Sequence, residues 1–374
     1  MIAASEPRQR PPDARLLVLD RKGKIVHVPR AELVDFLATS DLVIANDAAT
    51  LPASFAGFHE STGARIEVRL AGRCSLANDD VTRFTAVVFG AGDFHTRTED
   101  RPLPPRLVAG DRLVLGPLIA TVKATLDHPR LVALCFAGSP DAIWKGLARH
   151  GRPVQYAHVP TPLALWDVWT PIAAGPVAFE PPSAGFVLDW RTIAAMRTRG
   201  IEFATNTHAA GLSSTGDTEL RARLPLDEPY AIPQSTAAAI RRAKRQRRRV
   251  VAIGTTVVRA LEHAALRRGS ARAGNGIATQ RIGPRTRLRV VDAIVSGTHE
   301  PGSSHHELLR AFLDERSLRR VTDALVAHGY RTHEFGDSLL IMRQAANTAR
   351  QASKSHGDLA TVRHASALVR NVIE

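Results

Sequence analysis

The chain has 374 residues, of which 44% are hydrophobic and 23% charged, with two cysteines and a formal net charge of +14. That length can bury a large core in two domains, while two cysteines, Cys74 and Cys135, are too few for a disulfide framework or a cysteine-rich zinc site. No apolar run approaches the roughly 20 residues of a membrane span, and residues 1–12 lack the apolar core of a secretory signal, so the expectation is a reducing cytoplasm without membrane contact.

In chain order, residues 1–12 are polar and proline-containing and read as a disordered N-terminus. Residues 15–20 and 24–28 read as a strand pair turned at Arg21-Lys22-Gly23, residues 30–38 as a helix, and 41–46 as a strand ending in Asn46-Asp47. Between 57 and 158 short β-rich runs alternate with turn signals, at 64–70, 84–89, 112–115, 119–125 and 131–136. That spacing predicts a smaller all-β domain, 57–158, inserted into a larger α/β domain made of 13–56 and 159–343. A helix at 191–199, a strand at 201–207, a loop at 211–217 and a helix at 236–246 capped by Ser235 follow. Next come a polar loop at 267–283, a strand at 288–295, helices at 305–313 and 317–328, and a last strand at 338–342. The tail, 344–374, is Ala-rich and reads as an appended helix or as disorder.

Residues 250–253, Val-Val-Ala-Ile, run into Gly254-Thr255-Thr256 and then an amphipathic segment carrying Arg259 and Glu262. A short apolar run, a glycine and helical spacing read as a buried strand, a tight turn and a helix. In an open α/β sheet this junction lies at the carboxyl edge, where N–H groups and hydroxyls can meet an anionic or polar ligand. Taken alone, the run also suits a second reading, which local pattern favours: Gly254 makes the turn and a threonine caps the helix. His208 and His299 also follow strands, and a neutral histidine near pH 7 can act as general acid or base. Asn46, Asp47, Asp337 and the loop carboxylate Glu228 are further polar groups at element ends, each of which also suits a plain turn. His299, His305, His306 and Glu307 are ligand-type residues in a short span. Their spacing fits no metal motif, because His305 and His306 point apart on a helix, so no metal is expected.

The positive charge favours polyanionic partners through phosphate neutralisation, although arginine-rich composition alone would also produce it. It is concentrated in Arg241, Arg242, Lys244, Arg245 and Arg248, with Arg247 and Arg249 beside them. These residues stand as candidate nucleic-acid contacts, and cations at a helix C-terminus also suit the helix dipole.

Order and spacing give a resemblance to the S-adenosylmethionine:tRNA ribosyltransferase-isomerases of the queuosine pathway. Residues 15–20 resemble that family's opening R-L-L-V-L-D, and residues 41–52 its G-D-L-L-V-x-N-D-T-x-V-I-P. Pro181-Pro182-Ser183-Ala184-Gly185-Phe186 stands at A-P-T-A-G-L-H-F, Thr207-His208 at L-H-V-G, and Glu228-Pro229-Tyr230 at H-x-E-Y-Y. Residues 251–262 resemble A-V-G-T-T-S-V-R-x-L-E, the most specific match. Val290-Val291-Asp292 with residues 299–304 resembles V-V-D-x-L-x-T-N-F-H-L-P-x-S-T, and Tyr330-Arg331 with Phe335-Gly336-Asp337 resembles Y-R-F-x-S-Y-G-D. The resemblance runs in order from about residue 12 to residue 342.

It implies an α/β domain with a barrel-like sheet core and an inserted β-domain. It also implies chemistry in which S-adenosylmethionine is a co-substrate donating its ribosyl carbons to 7-aminomethyl-7-deazaguanine in tRNA, with no tightly bound cofactor. An amine on the base attacks the ribose, adenine and methionine leave, and an epoxycyclopentanediol remains. Proton removal beside a sulfonium needs a base, and departing adenine needs a proton donor. Position by position, the resemblance makes His208, Glu228 and His299 the catalytic candidates. Ser183, Gly185, Gly254, Thr255, Thr256 and Arg259 would hold substrate, with Asn46, Asp47 and Asp337 shaping the same edge. Ala49 and Ser54 stand where the family has arginines, Val187 and Leu226 where it has histidines, and Gly297-Thr298-His299 replaces N-F-H. Losing such polar groups from a site should alter substrate binding. The alternatives are a divergent paralogue using S-adenosylmethionine or a related nucleoside on a non-tRNA acceptor, and a non-catalytic RNA-binding protein.

Overall fold

The computed structural model describes residues 1–6, 13–266 and 269–344. Strands β1 (Arg15–Leu19) and β2 (Ile25–Pro29) pair antiparallel, and β3 (Leu42–Asn46) follows a 3-10 helix at Arg30–Phe36. The chain then builds β4 (Ser54–His59), β5 (Arg65–Gly72), β6 (Arg83–Phe89), β7 (Arg112–Leu115), β8 (Leu118–Thr125) and β9 (Leu131–Phe136). These close into an antiparallel barrel in the order β8-β9-β6-β5-β4-β7, filled by side chains such as Phe55, Val68, Leu70, Phe84, Val122 and Leu134. Closure leaves no free sheet edge, so a six-stranded unit can persist as an insertion.

Helix α1 (Pro140–His150) packs Ile143 and Leu147 into that same core, although the β-rich reading of 57–158 contained no helix. Its start is legible: Ser139 accepts a hydrogen bond from the Ala142 N–H, and Pro140 occupies the first helical turn. The second part of the chain supplies α2 (Trp190–Thr198), β10 (Glu202–His208), β11 (Glu228–Ile232), α3 (Gln234–Arg245), β12 (Val250–Ile253) and α4 (Thr255–Ala265). After these come β13 (Gly274–Ala278), β14 (Ala293–Gly297), α5 (Ser304–Leu309), α6 (Glu315–Ala327) and β15 (Ser338–Met342).

Among the described residues, nine of these strands form one sheet in the order β13-β11-β10-β3-β12-β14-β15-β1-β2. The central four, β10, β3, β12 and β14, are parallel. Alternation sorts their side chains onto two faces. Leu42, Ile44, Val250, Ala252 and Ile294 meet α3, α4 and α6, while Val43, Ala45, Val251, Ile253 and Val295 meet Leu33, Leu188 and Met196. The fold class expected from the sequence, α/β with an inserted all-β unit, is the one observed. The closure, however, belongs to the insert, and the large sheet ends at β13 and β2.

Several local expectations are corrected. Ile2–Ala3 pairs with Arg331–Thr332 where disorder was expected over 1–12, and residues 7–12 lie outside the described residues, as does the tail from 345. Glu228 sits on a strand, not a loop, and part of the expected 267–283 loop is β13, which pairs with that strand. The last strand before His299 begins at Ala293, because the N–H groups of Arg289, Val290 and Val291 point to the Glu262 carboxylate at 2.7–2.9 Å instead of to a neighbouring strand. Helix α3 begins directly after Pro233, so Ser235 lies inside it and caps nothing.

Candidate functional site

The parallel strands β10, β3, β12 and β14 all end at one edge of the sheet, and a cleft of about 610 Å³ opens there. Its wall includes Ser183, Gly211, Glu228, Gly254, Thr255, Thr256, Arg259 and His299. Gly254 has φ 103° and ψ 152°, a backbone region essentially reserved for glycine, which lets β12 turn sharply into α4. Its N–H is bound to the Val295 carbonyl at 2.8 Å, and the turn presents Thr255 and Thr256 to the cleft.

Glu228 is the most strongly held group. It is 5% exposed, accepts from His208 Nε2 at 2.7 Å and from the Gly211 N–H at 2.7 Å, and is paired with the Arg259 guanidinium. Burial pushes its pKa up, but Arg259, His208 and the Gly211 N–H together outweigh that and bring it down to about 2. Arg259 is itself saturated, donating also to the Ala278 carbonyl at 2.9 Å and to the Leu226 carbonyl at 3.2 Å. It therefore ties α4 to β11 and β13 while fixing Glu228 on the cleft wall.

His208 is fully buried behind Glu228, and burial lowers its pKa, so it is neutral with Nε2 donating. Its Nδ1 has no partner among the described residues. His208 thus holds the Glu228 carboxylate from behind the cleft wall through Nε2. His299 does line the cleft, with its ring stacked on His305 at 4.2 Å. Burial, reinforced by repulsion from His305, His333 and His306, holds its pKa well below the usual histidine value.

Three expected edge residues are structural. Asn46 donates to the His208 carbonyl at 2.9 Å and to Thr256 Oγ1 at 3.2 Å, and it accepts from the His208 N–H, so it straps β3 to β10 and α4. Asp47 accepts from Thr207 Oγ1 at 2.7 Å. Asp337 accepts from the backbone N–H groups of Arg15 and Arg331, both at 2.8 Å, and pairs with the Arg15 guanidinium. Gly185 is a packing glycine, since a Cβ there would come within 2.9 Å of Thr170.

The basic segment lies at the opposite end of the sheet. Arg242 and Arg248 pair with Glu202, Lys244 with Asp292, and Arg249 with Asp41, all carboxylates at or beside the starts of β10, β14 and β3. Arg241 and Arg245 are exposed and form no ion pair among the described residues. Helix α3 descends the sheet, so its C-terminal cations fall away from the cleft, and Arg242, Lys244 and Arg248 are engaged in ion pairs there. Besides Arg259, the arginines on the cleft wall are Arg221 and Arg281.

Sequence reading missed another group on the cleft wall, formed by Glu180, Glu334 and His333, with Tyr156 and His158 behind it. His158 and His333 stack at 4.2 Å, and with Glu334 they bring ligand-type atoms within 4.8 Å of one another. Parallel rings present faces to each other and do not converge their in-plane lone pairs on one ion. The available signals were adjacency to recognised runs: Glu180 precedes Pro181-Pro182-Ser183, and Glu334 precedes Phe335-Gly336-Asp337. Ala49, Ser54, Val187 and Leu226 are not part of the cleft wall. Ala49 and Val187 are buried, Ser54 donates to Glu67 at 2.8 Å, and Leu226 packs against the barrel core.

A family model described as queuosine biosynthesis protein matches residues 1–341. A protein of Sorangium cellulosum is 32% identical over 91% of this chain and 95% of its own, and one of Syntrophotalea carbinolica is 30% identical over 91% and 96%. Both are named S-adenosylmethionine:tRNA ribosyltransferase-isomerase. A crystal structure of S-adenosylmethionine tRNA ribosyltransferase from Thermotoga maritima aligns with a TM-score of 0.49 at 23% identity, covering 91% of this chain and 96% of that one.

Proposed function

The chain belongs to the queuosine biosynthesis protein family, and from that membership we propose that it is an S-adenosylmethionine:tRNA ribosyltransferase-isomerase. It transfers and isomerises the ribosyl moiety of S-adenosylmethionine onto 7-aminomethyl-7-deazaguanine in tRNA, forming epoxyqueuosine. The observation that carries this reading is the convergence of Ser183, Glu228, Gly254, Thr255, Thr256 and His299 on one cleft at the strand carboxyl edge. At about 610 Å³ the cleft is of the size that takes a small-molecule substrate.

Within this reading His299, kept neutral by burial, accepts the proton beside the sulfonium. Glu228 stays ionised and fixed by Arg259 and His208, giving a preorganised negative pole on the wall. Ser183, Thr255 and Thr256 supply hydroxyls to the nucleoside, and S-adenosylmethionine is a consumed co-substrate with no resident cofactor beside it. Residues 13–56 and 159–343 act as the catalytic-type unit and 57–158 as the insert. No helix among the described residues is long and apolar enough to cross a membrane, and the tRNA substrate argues for a cytoplasmic site of action.

The test is incubation with S-adenosylmethionine and tRNA carrying the 7-aminomethyl base, followed by chromatography. Release of adenine and methionine in equal amounts is expected. Intact S-adenosylmethionine after prolonged incubation with a tRNA preparation that a known family enzyme consumes overturns the reading.

A further inference from the structure

Glu180 lies on the cleft wall. It is 6% exposed and follows the short strand Pro176–Ala178, which pairs with Ala49–Thr50. The Tyr156 hydroxyl donates to its Oε1, and the Ser214 N–H in turn contacts that hydroxyl at 3.3 Å. Glu334, the second carboxylate on this wall, accepts from His158 at 3.2 Å, and His158 stacks on His333. The wall therefore carries two carboxylates with unequal surroundings. One has imidazoles beside it, and the other has a phenol.

We infer that Glu180 is the catalytic acid of this cleft, the group that protonates adenine as it departs from the ribosyl carbon. This rests on the proposed ribosyl transfer. Two neighbouring carboxyl groups in environments of opposite tendency are what an acid–base division requires. Burial raises the pKa of Glu180, the charge of Glu334 raises it further, and hydrogen bonds from Tyr156 and Ser213 pull the other way, leaving it at about 7. Glu334 is lowered despite burial, through His158 and His333. The remaining charge facing this group is Arg69, buried in the barrel wall beside Tyr156. Near pH 7 a large fraction of Glu180 thus holds a proton while Glu334 does not.

The step balances simply. The glycosidic C–N bond breaks and its electron pair leaves on the purine. The Glu180 O–H bond breaks and its pair stays on the carboxylate. The proton passes to a purine ring nitrogen, so adenine leaves neutral, and the electron demand left at the ribosyl carbon is met by the incoming amine. Water in the open cleft returns a proton to Glu180 for the next turnover.

Glu180→Gln preserves shape and the acceptor for Tyr156 but carries no acidic proton. Its kcat for adenine release is expected to fall about 10²–10⁴-fold with KM within about threefold. The wild-type rate should decline above about pH 7, and that decline should vanish in Glu180→Gln. Tyr156→Phe should move the decline without abolishing it. Infrared titration adds a readout independent of turnover: a neutral carboxyl band that disappears between pH 6 and 8 and is missing in Glu180→Gln. Wild-type turnover that Glu180→Gln leaves undiminished, or a variant lacking no such band, overturns the acid role alone. Absence of wild-type turnover overturns the ribosyl-transfer reading itself, and the acid role with it.

Discussion

Glu228→Gln offers the most direct test of how the site is held. Gln keeps the size of the side chain but removes the charge facing Arg259, a residue only 4% exposed. The pKa of Glu228 falls from an ordinary 4.5 to about 2 in the folded chain. At about 1.4 kcal/mol per pH unit, that fall corresponds to about 3 kcal/mol of stability. Breaking a buried pair from one side costs about 3–5 kcal/mol for the same reason, since it leaves a buried charge uncompensated. The sign fixes the pH window. A depressed carboxylate stabilises the fold above its unfolded pKa, so the contribution is complete above about pH 4.5 and disappears as the pH falls towards 2. Urea unfolding of wild type and variant should therefore differ by about 3 kcal/mol at pH 7, and the gap should narrow by about 2 kcal/mol between pH 5 and pH 3. Glu228→Gln combined with Arg259→Met should cost less than Glu228→Gln alone, because no charge is left behind. A gap below about 1 kcal/mol at pH 7, or one that stays constant with pH, would refute the reasoning.

Three further outcomes are expected. Gly254→Ala places a side chain at φ 103° and should lower stability by about 1–3 kcal/mol in thermal unfolding; a wild-type melting curve would show that the turn is not constrained. His299→Gln should reduce adenine release by about 10²–10⁴-fold while leaving the melting temperature within a few degrees, since His299 lies on the open cleft wall; full activity would remove it from the chemistry. Arg221→Glu with Arg281→Glu, at the cleft, should weaken tRNA binding and reduce the salt dependence by about one unit of slope per lost phosphate contact. Arg241→Glu with Arg245→Glu, at the far end of the sheet, should change it less, and the reverse ranking in a salt-titrated binding assay would return the RNA surface to α3.

Strand content was legible because short, continuous runs rich in β-branched residues suit strands buried on both faces, as in Leu42–Asn46 and Val250–Ile253. The misread strands have side-chain reasons. Gly274–Ala278 is glycine-rich and exposed at its start, and Glu228–Ile232 contains a proline, so neither carries a hydrophobic period. The over-long strand before Ala293 was misread because a carboxylate 27 residues earlier takes the N–H of Arg289, a partnership invisible to local pattern. The candidate site was legible where a side chain ends a strand, as for His299, and illegible where function depends on what lies opposite. Asn46 and Asp337 look like ligand-facing polar residues in sequence, yet their hydrogen-bonding capacity is filled by backbone partners 162 and 322 residues away.

The Gly254-Thr255-Thr256 run and its following helix sharpen that distinction. The residues that make the run specific divide between two tasks. Gly254, Thr255 and Thr256 line the cleft, while Arg259 and Glu262, one and two turns further along α4, are buried and hold neighbouring elements, Arg259 from the cleft wall itself. Glu262 gathers the three N–H groups that lead into β14, the strand delivering His299, and Arg259 clamps Glu228 from β11. A single helix thus sets the positions of two wall residues that come from strands on opposite sides of β12. Changes at Ala49, Ser54, Val187 and Leu226 leave this frame untouched, because those side chains lie outside the wall and no charge of the frame depends on them. Substitutions at Arg259 or Glu262 should do what those do not, displacing Glu228 or His299 while leaving every cleft hydroxyl chemically intact.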